Sequence, residues 1–386
     1  MSFGSSFGQT YFISLFGAEI RGEYGLSHGG FGALYSSATL LSAISLVWLG
    51  RKVDTLDLRL FSLACTIGLV VACLFLSWSS NLIMLAVAIY LLRLNGQGLM
   101  THASMTSMAR YFDRGRGRAL SIASLGFPMG EAILPLVAVS VVAVAGWRET
   151  WILIAGFTAL IVVPLVQWLL RTHGERDVKL KSRIHKDNQG KKTTSDWSRR
   201  DILKDSKFYY ILPAVLAPSF ISTGIFFHQI HIVEVKGWEL SWFASCFVAY
   251  AICQLLSSIV AGPLVDRVSA KRLLPFFLIP MIAGLTVLSL GDDPMIALIF
   301  MMLGGLTSGA SSTIAGALWA EVYGITHLGA IRAMVMALMV CSSALSPVAL
   351  GWFIDIGTSI NTLAISMALY ALITSVLASR ISGRLM

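Results

Sequence analysis

Apolar runs of about twenty residues, separated by short polar loops, fill most of this chain. A helix of that length rises about 30 Å, the thickness of a bilayer's hydrocarbon core. Twelve such runs are present, at 3–20, 30–49, 59–79, 82–108, 119–145, 150–170, 208–234, 240–261, 273–291, 295–320, 329–354 and 360–380. They predict twelve transmembrane helices, with both ends of the chain on one side. One polar interruption is long: Thr172 to Ser206 is rich in Lys, Arg, Asp, Ser and Thr and has almost no apolar periodicity. It divides the chain into an N-terminal six-helix bundle, 1–170, a basic linker, 171–207, and a C-terminal six-helix bundle, 208–386. The linker reads as a solvated tether that also fixes topology.

Composition agrees with the pattern. The 386 residues are 56% hydrophobic and 13% charged, where a soluble domain carries about 25% charged residues. The net charge of +9 would suit a nucleic-acid partner, but its distribution excludes that reading. Loops 50–59, 109–118, 171–207 and 262–272, with Arg332, Arg380 and Arg384, hold 25 of the Lys and Arg residues, and the alternate loops hold only Arg21, Arg148 and Lys236. This asymmetry marks the cytoplasmic side. It puts both termini and the linker in the cytoplasm of a multi-pass protein, expected in the bacterial inner membrane as a monomer surrounded by lipid. The five Cys all lie in apolar runs and read as small core residues, neither a disulfide framework nor a metal cluster.

The two halves repeat. Gly50-x-x-x-Asp54 follows the second run and Gly262-x-x-x-Asp266 the eighth. Ala109 ends the fourth run as Ala320 ends the tenth, and Pro135 and Pro347 sit inside the fifth and eleventh. Duplication of a six-helix unit is a transporter signature. Gly262-Pro-Leu-Val-Asp-Arg-Val-Ser-Ala-Lys-Arg272 resembles the loop motif of the major facilitator superfamily, G-x-L-x-D-R-x-G-x-R-R, with Ser269 in place of the second Gly. The first-half copy, Gly50 to Arg59, departs further, with Thr55 for Arg and Asp57 for Gly. The stretch Arg110 to Ala123, and Gly126 to Gly130 after it, is similar to the loop 4–5 region of the monocarboxylate/oxalate–formate branch. The Lys of the first helix and the Arg of the eighth that mark the animal monocarboxylate members have no counterpart here.

The resemblance implies the major facilitator fold, all-α with two pseudo-symmetric six-helix bundles, and a cavity lined by helices 1, 4, 7 and 10. It also implies that Asp54 and Asp266, with Arg110, Arg267 and Glu321 as partners, cap helix ends and hold an inner gate.

Arg93 is the residue that composition makes most costly. It lies about 16 Å from the outer face in the fourth run, near the midplane. A cation placed there costs about 3 kcal/mol on insertion scales, so it is expected to face a cavity or a partner. Glu131 in the fifth run reaches a similar depth, and the two could meet. Arg93 then reads either as an anion clamp, with Glu131 as a proton-linked switch, or as half of a static ion pair. His228 and His231 share a helix face. His228 and Gln229 are candidates to bind substrate or relay a proton, and Tyr11, Gln97 and Trp319 are candidates by their helices. Asn95, His102, Gln9, Tyr250 and Gln254 read first as helix–helix polar contacts.

No nucleophile–base pair, metal set or phosphate loop appears, so neither an enzyme nor a cofactor is expected. The expectation is a secondary active transporter of a small solute, an organic anion such as a carboxylate, working by alternating access with a proton as co-ion. The alternatives are a proton-coupled exporter of drugs or neutral metabolites and, further off, a membrane sensor.

Overall fold

The computed structural model describes residues 1–50, 52–111, 122–171, 199–324 and 328–382. The described residues contain helices and turns and no strand. Ten of the helices are long and apolar enough to cross a membrane. Their outward faces carry side chains such as Ile83, Val144, Leu160 and Val260, all strongly exposed. That much apolar surface suits lipid, not water. The chain is an all-α, multi-pass membrane protein.

Local chemistry sets many of the helix starts. Asp57 accepts from Arg59 N and Leu60 N at the start of Leu58–Ser77. Asn81 accepts from Met84 N before Leu82–Leu92, and Asp293 accepts from Met295 N with Pro294 in the first turn of Pro294–Tyr323. Each supplies an acceptor to an amide that the helix cannot satisfy.

Three predicted runs are not single helices. The first, 3–20, forms the 3-10 turn Gly4–Gly8, a break at Gln9 in extended conformation, and the short segments Thr10–Ile13, Ser14–Phe16 and Gly17–Tyr24. Gly4, Gly8 and Gly17 and a run of serines weaken helix continuity there. The seventh run is Ser206–Phe227 and Gln229–Lys236, interrupted at His228. The ninth is helical only over Ile279–Leu290. Turns at 274–278 precede it, where Pro275 removes a backbone donor.

The chain folds as two compact units. The first contains Met1–Gly25 and Leu34–Lys192, and the second contains Leu26–Ala33 and Thr193–Met386. The first unit has an aromatic centre, where Trp151, fully buried, meets Phe12 and Phe16 edge-on or tilted. In the second, Leu240–Val268 and Pro294–Tyr323 pack backbone to backbone: a Cβ on Gly305 would lie 3.1 Å from Cys253 Cβ, and one on Gly309 2.9 Å from Ser257 Cβ. This is the small-residue mode of membrane helix contact. The five Cys are all free thiols. Most of the expected linker, 172–198, lies outside the described residues.

Arg148 and Lys236 are tied down. Arg148 donates to Ser77 O, to Ser79 O and to Glu23, and stacks on Trp147. Its guanidinium holds the Glu23 carboxyl below the usual range. Lys236 is buried and donates to Gly291 O, Asp292 Oδ1 and Asn361 Oδ1 at 2.7–2.8 Å.

Candidate functional site

The fourth run carries the first unit's polar centre. Leu82–Leu92 is regular α-helix, Arg93–Met100 is π-helix, and Thr101–Tyr111 returns to α. Three residues favour the wider turn. Asn95 Nδ2 donates to Leu91 O, competing for the helical ladder, and Gly96 and Gly98 leave its walls bare. A π-segment inside an α-helix is rare and concentrates at functional sites.

The π-segment packs against the break in the first span. A Cβ on Gly96 would lie 2.7 Å from Gly8 Cα, and one on Gly8 2.6 Å from Gln97 N. Only glycine at both positions lets the backbones approach so closely. The break leaves the Gly8 carbonyl without a helical donor, and Arg93 Nη1 supplies one at 3.0 Å. Arg93 Nη1 also lies 3.4 Å from Thr10 Oγ1, which accepts from Tyr35 OH at 2.8 Å. The guanidinium carbon stands 5.2 Å from the centroid of the Tyr35 ring. Arg93 is 2% exposed, and its Nε has no acceptor. The expected meeting of Arg93 and Glu131 is not present as an ion pair. Glu131 is half-buried on Gly126–Ala145, and its Oε2 is buried with no hydrogen-bond partner.

Tyr11 and Gln97 belong to the same centre. Tyr11 is buried just after the break, its hydroxyl beside Gly130. Gln97 is half-buried in the π-segment. His102 Nε2 lies 3.1 Å from Gly50 O, at the end of His28–Leu49. Beyond the broken span, a cavity of about 340 Å³ opens among Phe3, Phe7, Phe157 and the middle turns of Gly126–Ala145. No charged side chain lines it.

The second unit has its own break. His228 and Gln229, both buried, stand where the seventh run is interrupted. His228 Nε2 donates to Pro347 O at 3.0 Å, which fixes its tautomer because a carbonyl only accepts. Trp319 is packed between Phe208 and Tyr323 in an aromatic cluster.

The loop motif has a clear local logic. Ser269 has φ +81° and ψ 146°. This is where the superfamily motif carries its second Gly, and the conformation is one that L-residues adopt only under strain. Glu321 then accepts from Ala270 N at 2.9 Å and Lys271 N at 3.2 Å, capping the turn that follows. Asp266 and Arg267 are exposed. The side chains of Asp54 and Arg110 lie outside the described residues.

Sequence reasoning placed Arg93 and Glu131 at depth but missed Gly8, Thr10, Tyr35 and His28. The Gly8/Gly96 pair was the available signal, since two glycines in runs expected to neighbour each other mark a close crossing.

Many apolar spans, two of them broken beside buried polar side chains, define a multi-pass membrane transporter. The family model of the Major Facilitator Superfamily matches residues 1–248 and 229–383, and the chain belongs to that superfamily. Among solved structures it is similar to a bacterial homologue of the human lysosomal transporter Spinster in an inward-facing, occupied conformation (TM-score 0.74, 13% identity, 100% of this chain and 95% of that one). It is also similar to the nucleoside transporter NupG (TM-score 0.70, 15% identity, 98% and 96%). At these identities the likeness is one of fold. No curated protein sequence matches the chain.

Proposed function

We propose that the chain carries a small organic anion, a carboxylate by preference, across the bacterial inner membrane by alternating access, with a proton as co-ion. The protein works as a monomer with both termini in the cytoplasm. The observation that supports this reading is the charge state around Arg93. The guanidinium is buried, its acceptors are neutral oxygens, and its Nε has none; the residue count puts it near mid-membrane depth. Neutral acceptors orient a cation but do not cancel its charge, which in a low-dielectric setting calls for a counter-ion. A substrate carboxylate is such a counter-ion, and a guanidinium can bind it in a bidentate way. The sequence likeness of 110–130 to the monocarboxylate/oxalate–formate branch points the same way. In the rival reading, export of drugs or neutral metabolites, Arg93 and Glu131 serve only proton coupling and need each other as partners. The described contacts of Arg93 give no such pair. Glu131, with Oε2 buried and unbonded, is the proton carrier in this proposal.

The test is a thermal-shift screen of purified protein against carboxylates, sugars and cationic drugs, followed by variants in proteoliposomes. A carboxylate should stabilise the wild type. Arg93→Lys should bind it about tenfold more weakly, the equivalent of about 1.4 kcal/mol, and Arg93→Ala should not bind it measurably. Normal binding by Arg93→Ala removes the clamp. Glu131→Gln should keep exchange yet lose accumulation driven by a pH gradient. Unchanged accumulation removes Glu131 from coupling.

A further inference from the structure

Three histidines gather at one end of the second unit. His28 opens the helix His28–Leu49, and its ring centroid lies 4.4 Å from that of His231 and 5.8 Å from that of His228. His28 and His231 are half-buried and His228 is buried. The same residues form a close seat on the helix Leu328–Asp355. Asp355 accepts from His28 N at 3.0 Å through Oδ1 and from Gly29 N at 2.8 Å through Oδ2, so it caps the helix start. Gly30 N donates to Ser27 Oγ and Phe31 N to Ser27 O. A Cβ on Gly351 would lie 2.6 Å from His28 O, and Phe31 stacks on Phe227. The start of His28–Leu49 is thus held by one carboxylate, one serine and glycine-to-backbone contact.

We propose that the His28–His231 pair is a proton-binding site that controls this seat: when both imidazoles are charged, the first turn of His28–Leu49 loosens from Leu328–Asp355. Among the described residues, His228 and His231 from the seventh run and Asp355 from Leu328–Asp355 face His28. Glu23, on the preceding helix, is bonded to Arg148. Among the described residues no group of three or more His, Cys, Asp or Glu is placed to hold a metal ion.

An imidazole near the surface takes its proton close to pH 6.5. The first proton on the pair is favourable beside the Asp355 carboxylate. The second must go onto a ring in contact with an imidazolium, so the two protons bind in separate steps. Like charges at ring-contact distance repel, and the Asp355 carboxylate, bonded to His28 N and Gly29 N, cannot fully offset two cations. Asp355 keeps its cap on the helix start until the rings part. The inference stands apart from the anion proposal, since it needs neither Arg93 nor a substrate.

Amide hydrogen exchange of the full-length protein in detergent tests it. Protection of the amides of residues 28–31 is read between pH 8 and pH 5 after correction for intrinsic exchange. The wild type should lose at least tenfold in protection, with a midpoint near pH 6. In His231→Gln the change should fall below about twofold, because one imidazolium beside Asp355 meets no second charge. His28→Gln should behave the same way and stands in if His231→Gln fails to melt like the wild type at pH 8. Asp355→Asn should reduce protection at both pH values. Flat protection in the wild type, a full change in His231→Gln, or undiminished protection in Asp355→Asn would each overturn the proposal.

Discussion

Gly96→Val should unseat the first span and cost about 3 kcal/mol, the upper end of what added volume costs in a packed core. The added Cβ would meet Gly8 Cα at 2.7 Å and Gly8 N at 2.8 Å. Both are backbone atoms, so no side-chain rotation relieves the clash. Either the first span moves or the π-segment rewinds, and both separate Arg93 from Gly8 O. Gly156→Ala is the matched control, because its Cβ would meet nothing within 4 Å. There the replacement should be neutral or stabilising by up to about 1 kcal/mol, as Ala is the better helix former. Thermal unfolding in detergent reads both variants. Equal midpoints for the two would show that the Gly8–Gly96 approach does not hold the unit together.

Lys236→Met should cost a similar amount, about 3 kcal/mol, for a different reason. The side chain is 1% exposed, and its ammonium serves three acceptors from two segments, Gly291 O and Asp292 Oδ1 in one and Asn361 Oδ1 in the other. Hydrogen bonds to a charged group are worth about 1.5–3 kcal/mol each, and a stranded buried acceptor adds a desolvation penalty. Asp292 contributes little to that penalty, since its side chain is 68% exposed and returns to water. The cost falls on the carbonyl and the amide. The pair of Arg148 and Glu23 is a useful contrast: both side chains are partly exposed, and an ion pair of that kind is worth about 0–1 kcal/mol. Raising salt should therefore leave the Lys236 contribution in place and erode that of Arg148. A Lys236→Met midpoint within a degree of wild type would show that the three bonds do not staple the segments.

Arg93 shows how far sequence alone carried the site. A cation amid apolar residues is visible in one dimension, and its depth follows from counting residues. Its partner was not visible. The count from the membrane faces matched Arg93 with Glu131, yet the acceptor is the backbone oxygen of Gly8, 85 residues away in sequence. A backbone carbonyl has no letter in the sequence, and it becomes available only because the first span breaks. Lys236 makes the same point from the other direction: as a lone loop cation it served only to set topology, whereas three approaching segments turn it into a buried staple. Ser269 was legible as a departure from a motif, but its meaning, a positive φ in a position suited to glycine, needed backbone angles.

The sequence by itself determined the membrane class, the number and order of apolar runs, the repeat of two halves and the superfamily. Each of these depends on a periodic or additive property, such as run length, charge asymmetry or motif spacing, that can be summed along the chain. Tertiary structure decided where the runs break, which backbone oxygen Arg93 reaches, and which histidines meet: His28 lies 203 positions before His231 in sequence but 4.4 Å from it in space. Those features depend on the close approach of segments distant in the chain, and in a bilayer such approach is governed by the packing of small residues and by unmet backbone polarity. Neither leaves a periodic trace in the sequence.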